Sequence, residues 1–392
     1  ARDRREVTSG IQKEADRLSG GGKEDLFAFV TAAAHYVRDS VRYLDIELGV
    51  GGYQPHAAGE TLSNLYGDCK DKATLLSALL AAREIVSYPV LVNLTMRNTV
   101  AERFPVGMFN HLVLAVPLRE GFEVPAPFAA AVVDAGELGR LFIVDVTDER
   151  SAIGSISGDL AGKRALVVAG TRGRVIDLPA GDASSHAITR KILARPDGTG
   201  RAIERVSTYS GDFAAAARHS YSSSANERRL GLERRMRELY PSAAFGGSEV
   251  SYETPDGHYI ETIRLGCASI ACSAEPGRID LFPGAAGEVD RVSLGKRTMP
   301  VQYDHPFTIR YEARYEGLPQ ADLPAARRIA GEGWSVETTC DLRDGAVESS
   351  WEVRLDRTRF EPEAFAELRR FWAAVAATGE TSLRLDGPRD VP

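Results

Sequence analysis

The chain has 392 residues, a length that corresponds to roughly two or three domains of ordinary size. Hydrophobic residues make up 43% and charged residues 26%, as in an ordinary globular protein, and there is no apolar run of about 18 residues that would predict a transmembrane helix. The formal net charge of −7 argues against a general nucleic-acid-binding protein, because such proteins carry a surplus of basic residues.

The first part of the chain is predicted to be a tail followed by helices. Residues 1–22 are assigned to an N-terminal tail or linker, because the first ten are charged and show no periodicity. The chain begins with Ala1 and shows no signal peptide, so it is open whether a signal peptide or an N-terminal domain has been removed. Apolar residues then recur every three or four positions over 23–41, which predicts an amphipathic helix, and a shorter helix is predicted over 58–65.

Cys69 lies at the predicted start of the next helix, which runs to about residue 82. Gly67 and Asp68 before it mark a turn and a helix N-cap. Unpaired N–H groups and the positive end of the helix dipole favour a thiolate at this position, so Cys69 is a candidate nucleophile. Lys70 and Lys72, in the same turn, are predicted to be solvated.

Short apolar runs rich in β-branched residues follow, and each predicts a buried strand. They cover 87–94, 111–117, 140–146 and 164–169. A linker is predicted over 179–185, and beyond it the pattern changes to alternating strands, a helical stretch and a closing helix. Residues 186–392 are therefore predicted to form an antiparallel, β-rich α+β domain, for which the sequence indicates no role.

A nucleophilic thiol needs a base, and the base needs an acceptor that orients it. Of the seven histidines, His111 is the one that opens a strand downstream of Cys69 in the same predicted domain. Asp145 lies near the end of the next apolar strand, where a buried, unpaired carboxylate would cost on the order of several kcal/mol. Adjacent antiparallel strands can bring an imidazole and a carboxylate within about 5 Å, so we expect His111 and Asp145 to pair.

Four cysteines in a chain of this length are too few for a disulfide framework, and no matching pair of His or Cys residues accompanies Cys267 and Cys272 to suggest a zinc site. Cys267 and Cys272 are close in sequence and are interpreted as small apolar residues of a β-rich region. A local disulfide is the alternative, and it would imply an oxidising compartment.

The order Cys69, His111, Asp145, with the cysteine opening a helix and the other two on successive strands, resembles the transglutaminase-like superfamily of papain-type cysteine enzymes. The run Gly-Asp-Cys-Lys-Asp-Lys around Cys69 is similar to the Gly-Asp-Cys-x-Asp motif of its bacterial members, as are Gly-Tyr-Gln-Pro-His at 52–56 and the Asn-His pair that ends at His111. The resemblance covers about residues 23–178. The family often has Asp-Pro-Thr where this chain has Asp-Val-Thr from Asp145, which leaves Asp148 as an alternative that the strand pattern disfavours.

The resemblance implies an α+β fold with a papain-like, transglutaminase-like catalytic domain over 23–180 and the β-rich domain over 186–392. Many bacterial members are exported, and in many of them a β-sandwich precedes the core. We therefore expect a periplasmic or cell-envelope location in a bacterium, with the cytoplasm as the alternative.

The resemblance also implies roles for individual residues. Cys69 would be the nucleophile, His111 the base and Asp145 the residue that orients it. Gln54 is a candidate oxyanion donor together with the backbone N–H of Cys69, and Tyr53 is a candidate wall of the same cleft. No cofactor and no metal are expected, because thiol chemistry needs neither and no calcium-loop motif occurs.

The expected reaction is acyl transfer through a thioester on Cys69, with a protein or peptide as substrate. Water as acceptor gives a cysteine peptidase or amidase, and an amine gives transglutaminase-type transfer or cross-linking. Animal transglutaminases use tryptophans to exclude water, and none lies in the predicted catalytic domain, which favours hydrolysis. A hypothesis of another class is a non-catalytic polypeptide-binding module. The oligomeric state is left open.

Overall fold

A computed structural model describes residues 2–20, 25–45, 54–95, 109–149, 151–220, 224–252, 258–269, 272, 277–289, 297–318 and 321–385. The chain is α+β and falls into two compact units, Ala1–Gly181 and Asp182–Pro392. The division lies inside the segment 179–185 that the sequence predicts as a linker.

The helices of the first unit lie close to their predicted positions, with one addition. They are α1 (Ser9–Leu18), α2 (Leu26–Ser40), α3 (Ala58–Asn64) and α4 (Cys69–Ala81). The assignment of 1–22 to a tail or linker is wrong for α1, whose Ile11 and Ala15 are completely buried in the core. These two residues stand four positions apart and form a narrow apolar stripe, which the many charged residues around them conceal in the sequence.

The described strands of the first unit include a six-stranded antiparallel sheet, in the order β5-β6-β4-β3-β7-β8. Its strands are β3 (Tyr88–Val92), β4 (His111–Pro117), β5 (Val132–Asp134), β6 (Arg140–Val144), β7 (Arg164–Val167) and β8 (Arg174–Asp177). A separate parallel pair joins β1 (Arg42–Tyr43) to β2 (Tyr66–Gly67). The four predicted strands are confirmed as β3, β4, β6 and β7.

Helix α4 is the central element of this unit. It packs on β4 and against α1, α2 and α3, and its residues from Cys69 to Leu80 are buried. Complete burial of a leucine stabilises a fold by roughly 1.5–3 kcal/mol, so Leu75, Leu76, Leu79 and Leu80 hold the helix firmly. The first residue of α4 therefore has a well-fixed position. Among the described residues, no helix is both long and apolar enough to cross a membrane.

The second unit is built around an eight-stranded sheet in the order β11-β12-β10-β9-β15-β19-β18-β17, antiparallel except for the pair β9–β15. Its strands are β9 (Ala187–Asp197), β10 (Gly200–Tyr209), β11 (Ala243–Tyr252), β12 (Tyr259–Cys267), β15 (Phe307–Glu316), β17 (Arg327–Gly331), β18 (Trp334–Arg343) and β19 (Ala346–Leu355). Shorter strands are β13 (Arg278–Asp280), β14 (Val301–Gln302), β16 (Ala321–Asp322), β20 (Arg359–Phe360) and β21 (Ser382–Leu385). The helices are α5 (Gly211–Ser220), α6 (Ala225–Leu239) and α7 (Phe365–Gly379).

Cys267 and Cys272 form a disulfide, so their interpretation as unpaired apolar residues is wrong. Strand β12 ends at Cys267, and Cys272 has a left-handed backbone with φ +48°. The two Cα atoms lie 5.4 Å apart, within the range that a disulfide needs. Sequence spacing alone does not reveal this distance. Cys69 and Cys340 are free thiols.

Candidate active site

Asp68 is the N-cap of α4 and sets the start of the helix at Cys69. Its Oδ1 accepts hydrogen bonds from the backbone N–H groups of Lys70 and Asp71, at 3.1 and 3.2 Å, which confirms the predicted cap. A cap of this kind stabilises a helix by about 1 kcal/mol. The cap does not use the N–H of Cys69, whose thiol lies at the positive end of the helix and is 9% exposed.

A second carboxylate, that of Asp71, holds the segment around His56 against the start of α4. It accepts hydrogen bonds from the backbone N–H of His56 at 2.8 Å and from the N–H of Asp68 at 3.3 Å, and it lies 3.1 Å from the His56 ring. At Gly67 a Cβ atom would lie only 2.5 Å from the Cβ of Asp71, so no other residue fits without a shift. Gly67, Asp68 and Asp71 thus each have a structural role at the start of α4.

The structure brings Cys69, His111 and Asp145 together. His111 opens β4, Asp145 follows the last residue of β6, and these two strands are adjacent in the sheet. The His111 Nε2 lies 2.9 Å from the Asp145 Oδ2, and the His111 ring also forms a hydrogen bond with Cys69. Because Nε2 faces the carboxylate, Nδ1 is the ring nitrogen left for the thiol.

The electrostatics favour a charged imidazolium in this arrangement. Burial by itself would lower the pKa of His111, but hydrogen bonds to Asp145 and Cys69 and the charges of both groups raise that pKa to about 10. Burial would likewise raise the pKa of Asp145, but hydrogen bonds from His111 and Thr147 lower it. The pair is therefore an imidazolium beside a carboxylate at neutral pH.

Thr147 fixes the carboxylate in this geometry. Its backbone N–H and its hydroxyl donate to the Asp145 Oδ1 at 2.8 and 2.7 Å, and its hydroxyl lies 3.3 Å from the His111 Nε2. Asp148, the alternative acid, accepts a hydrogen bond from the Ser151 hydroxyl instead. The acid that pairs with the imidazole is thus Asp145.

Of the two residues predicted to contribute to the oxyanion hole and the cleft, Gln54 is the one that the structure describes. With its amide assigned in the orientation that satisfies both groups, the side-chain oxygen of Gln54 accepts hydrogen bonds from the Arg4 guanidinium at 3.1 and 3.2 Å, and its NH₂ group takes no part in this contact. Tyr53 lies outside the described residues.

Tyr43 is a site residue that sequence reasoning missed. It pairs with Gly67 in the β1–β2 ladder, two residues before the nucleophile. Tyr43 is 37% exposed; the partial burial of its phenol raises its pKa, and the charges of Cys69, Asp45, Asp68 and Asp145 raise it further, so the phenol lies within electrostatic range of these groups. A two-residue strand carries no periodic pattern, and only the pairing of β1 with β2 reveals this position.

The prediction that Lys70 and Lys72 are solvated is wrong. Lys70 is 7% exposed and forms an ion pair with Asp68. Lys72 is completely buried, and its Nζ donates to the backbone carbonyl of Arg38 at 3.1 Å. The reason is that α4 is surrounded by other elements on every side, so that even its charged positions face the interior.

A group of metal-competent side chains among the described residues lies in the second unit and consists of His186, Asp212 and His305. The two imidazole rings stack with centroids 4.1 Å apart and planes inclined by 19°, and the Asp212 backbone N–H donates to the His186 Nδ1 at 3.1 Å. Because a ring nitrogen binds a metal in the plane of the ring, two stacked rings direct poorly at one ion. The group is a stacked pair of histidines, His186 and His305, of which His186 accepts a hydrogen bond from the start of α5.

No protein-family model matches the chain, and no curated protein matches it. The chain is similar to a solved structure described as a "putative protease" from Parabacteroides distasonis, with a TM-score of 0.53 and 10% sequence identity. The match covers 97% of this chain but 56% of that protein, so the chain spans only about half of its length. At this identity the likeness concerns the fold alone.

Proposed function

We propose that the protein catalyses cysteine-dependent acyl transfer through a thioester on Cys69, as a transglutaminase-like enzyme with a papain-like catalytic core. The observation that carries the proposal is the position of His111, which forms hydrogen bonds with both Cys69 and Asp145. A buried histidine that links a thiol at a helix start to a carboxylate is the arrangement that activates a cysteine nucleophile.

In the first proposed step the Cys69 thiolate attacks the carbonyl carbon of a peptide or carboxamide, and the carbonyl electron pair moves onto oxygen. The His111 imidazolium then gives its proton to the leaving nitrogen, the C–N bond breaks, and the acyl group stays on sulfur. In the second step neutral His111 takes a proton from the acceptor, which attacks the thioester and releases the thiolate. Asp145 keeps the imidazole in its orientation throughout.

The negative oxygen formed in each step needs hydrogen-bond donors. The candidates are the backbone N–H of Cys69, which the Asp68 cap leaves unused, and the phenol of Tyr43. The NH₂ group of Gln54 is a third. One preorganised donor is worth roughly 3 kcal/mol in the transition state.

Water is the proposed acceptor, so the enzyme is proposed to be a peptidase or amidase. All three tryptophans, Trp334, Trp351 and Trp372, belong to the core of the second unit, so the catalytic unit has none with which to shield the thioester from water. The fold likeness to a protein described as a protease agrees with this choice.

The test is mass spectrometry of a peptide mixture incubated in ¹⁸O-labelled water, with and without a primary amine. We expect products that carry ¹⁸O at new C-termini or at glutamates derived from glutamine. These should be absent with a Cys69→Ala variant. Amine adducts without any hydrolysis would instead make the enzyme a transferase. The absence of any Cys69-dependent product would favour a binding module.

The same proposal places the protein in the periplasm or cell envelope of a bacterium. The Cys267–Cys272 disulfide supports this, because cytosolic thiols are kept reduced. Alkylation of the denatured protein without reductant should label Cys69 and Cys340 only. Labelling of all four cysteines in protein taken from its own cells would contradict the proposed compartment.

A further inference from the structure

Lys72 is a fully buried cation one helical turn beyond Cys69. Its Nζ donates to the carbonyl oxygen of Arg38, which lies in the last turn of α2, where carbonyl groups lack partners within the helix. Lysine is almost never fully buried unless it is paired, because burial disfavours the charged form. The sequence motif at the site therefore includes a charge that is energetically costly to bury.

Lys72 links the nucleophile helix, to which it belongs, to the end of α2. The carbonyl group of Arg38 binds Lys72, and the guanidinium of Arg38 donates to the carbonyl of Ser151 at 3.0 Å. The end of α2 is thereby joined to α4 on one side and to the residues that follow Asp145 on the other. The Lys72 ammonium interacts electrostatically with Asp145 and Glu149 in the segment that carries the acid and with Asp39 and Arg38 at the end of α2.

The charges of the site explain why a cation would be kept there. A thiolate on Cys69, an imidazolium on His111 and a carboxylate on Asp145 leave one uncompensated negative charge. Like charges in a poorly solvated site repel strongly, so the carboxylate by itself opposes formation of the thiolate. Lys72 is the candidate for the missing positive charge, because its ammonium binds a neutral carbonyl group, whereas the charge of Lys70 is balanced by its ion pair with Asp68.

We propose that Lys72 is a positioning residue: its ammonium, anchored on the carbonyl group of Arg38, supplies a charge that allows a thiolate and a carboxylate to coexist in one buried site. This inference rests on the proposed role of Cys69 as a nucleophile.

The stability of the fold provides a way to separate this role from a structural one. Burial lowers the pKa of Lys72, opposed by the charges of Glu149, Asp145 and Asp39. A lysine whose pKa is lowered on folding destabilises the fold at every pH below its unfolded pKa, neutral pH included. A neutral side chain of similar length should then preserve stability or increase it. A merely structural lysine would give a less stable protein on substitution.

The experiment compares Lys72→Met and Lys72→Gln with the wild type and with Lys13→Met, a matched control at an exposed position of α1. Two quantities are measured: the midpoint of thermal unfolding, and the rate of Cys69 alkylation by iodoacetamide between about pH 5 and pH 9, read from the mass of the Cys69 peptide. Glutamine can still donate to the Arg38 carbonyl but carries no charge.

We expect both Lys72 variants to keep or raise the unfolding midpoint, while alkylation near pH 6 slows about tenfold, the effect of a one-unit displacement of the profile. Lys13→Met should match the wild type. An unchanged alkylation profile, or full rescue by glutamine, would overturn the proposed role of the charge. A lower midpoint with an unchanged profile would make Lys72 structural. The wild-type protein alone tests the proposed function: if its Cys69 reacts no faster than a free thiol, the proposed function fails too, whatever the Lys72 variants show.

Discussion

His111 is the residue on which the chemistry of the site depends, because each of its ring nitrogens has a different partner. The sequence could predict this residue, since the order of Cys69, His111 and Asp145 along helix and strands is visible without a structure. It could not predict Tyr43 or the burial of Lys72. The first depends on a two-residue strand pairing, and the second on neighbours that surround α4 from distant parts of the chain.

The His111–Asp145 pair should make stability depend on pH. The pKa of His111 is raised to about 10 from 6.5, so its contribution is complete below about pH 6.5 and is lost as the pH rises through 10. The pKa of Asp145 is lowered from 3.8, so its contribution is present above that value and is lost as the pH falls through the folded pKa. The pair therefore stabilises most between about pH 4 and pH 6.5.

We expect the difference in unfolding free energy between the wild type and Asp145→Asn to be largest near pH 5–6 and to shrink toward pH 10. Urea unfolding at a series of pH values measures it. A difference that stays constant across this range would show that the two groups do not form a charged pair.

Tyr43→Phe tests the phenol as an oxyanion donor. Loss of one such donor lowers kcat by about 10²–10³-fold. The rate of Cys69 alkylation should stay close to that of the wild type, because alkylation forms no oxyanion. Both are measured on the same preparation, with a peptide substrate identified by the ¹⁸O experiment. Equal loss of alkylation and turnover would assign Tyr43 to the environment of the thiol instead.

At the scale of elements, the start of α4 combines three requirements in consecutive residues: a glycine, a capping carboxylate and the thiol. The strands β3, β4, β6 and β7 and the helices α2, α3 and α4 follow from periodicity and turn signals alone. Helix α1 does not, because it has only two buried residues, Ile11 and Ala15, and many of the residues around them are charged. The disulfide at the end of β12 does not follow from the sequence either, because the spacing of two cysteines does not fix the distance between their Cα atoms.

Gly67→Ala should disturb this start of α4. The new Cβ would lie 2.5 Å from that of Asp71, and relieving such an overlap costs on the order of 1–3 kcal/mol. We expect a lower unfolding midpoint together with slower Cys69 alkylation. Gly10→Ala in α1 is the matched control, because its Cβ would meet atoms no closer than 3.8 Å and alanine favours a helix. If both variants behave alike, Gly67 has no special role.

At the scale of the whole molecule, the described site residues belong to the first unit, which has its own hydrophobic core. The second unit has a separate core, and its strands are mainly antiparallel, as the sequence predicts. Its role could not be predicted, because no residue pattern within it indicates a particular chemistry. The site could be predicted from the sequence because its three residues follow one another along a helix and two strands of the same unit.

The first unit should therefore retain its chemistry when produced alone. A fragment of residues 1–181 should unfold cooperatively, and its Cys69 should be alkylated at a rate close to that in the whole chain. Calorimetry and the mass of the Cys69 peptide measure the two properties, with a Cys69→Ala fragment as the blank. A fragment that is folded but unreactive would show that the second unit contributes to the site.

Activation of Cys69 by His111 is tested most directly by the rate at which iodoacetamide alkylates Cys69 near pH 6, compared with glutathione and with the His111→Gln variant. We expect Cys69 to react at least about tenfold faster than glutathione, because a thiolate paired with an imidazolium persists at a pH where a free thiol is protonated. The His111→Gln variant should lose this advantage. A Cys69 that reacts no faster than glutathione, or equally fast without His111, would show that the histidine does not activate the thiol.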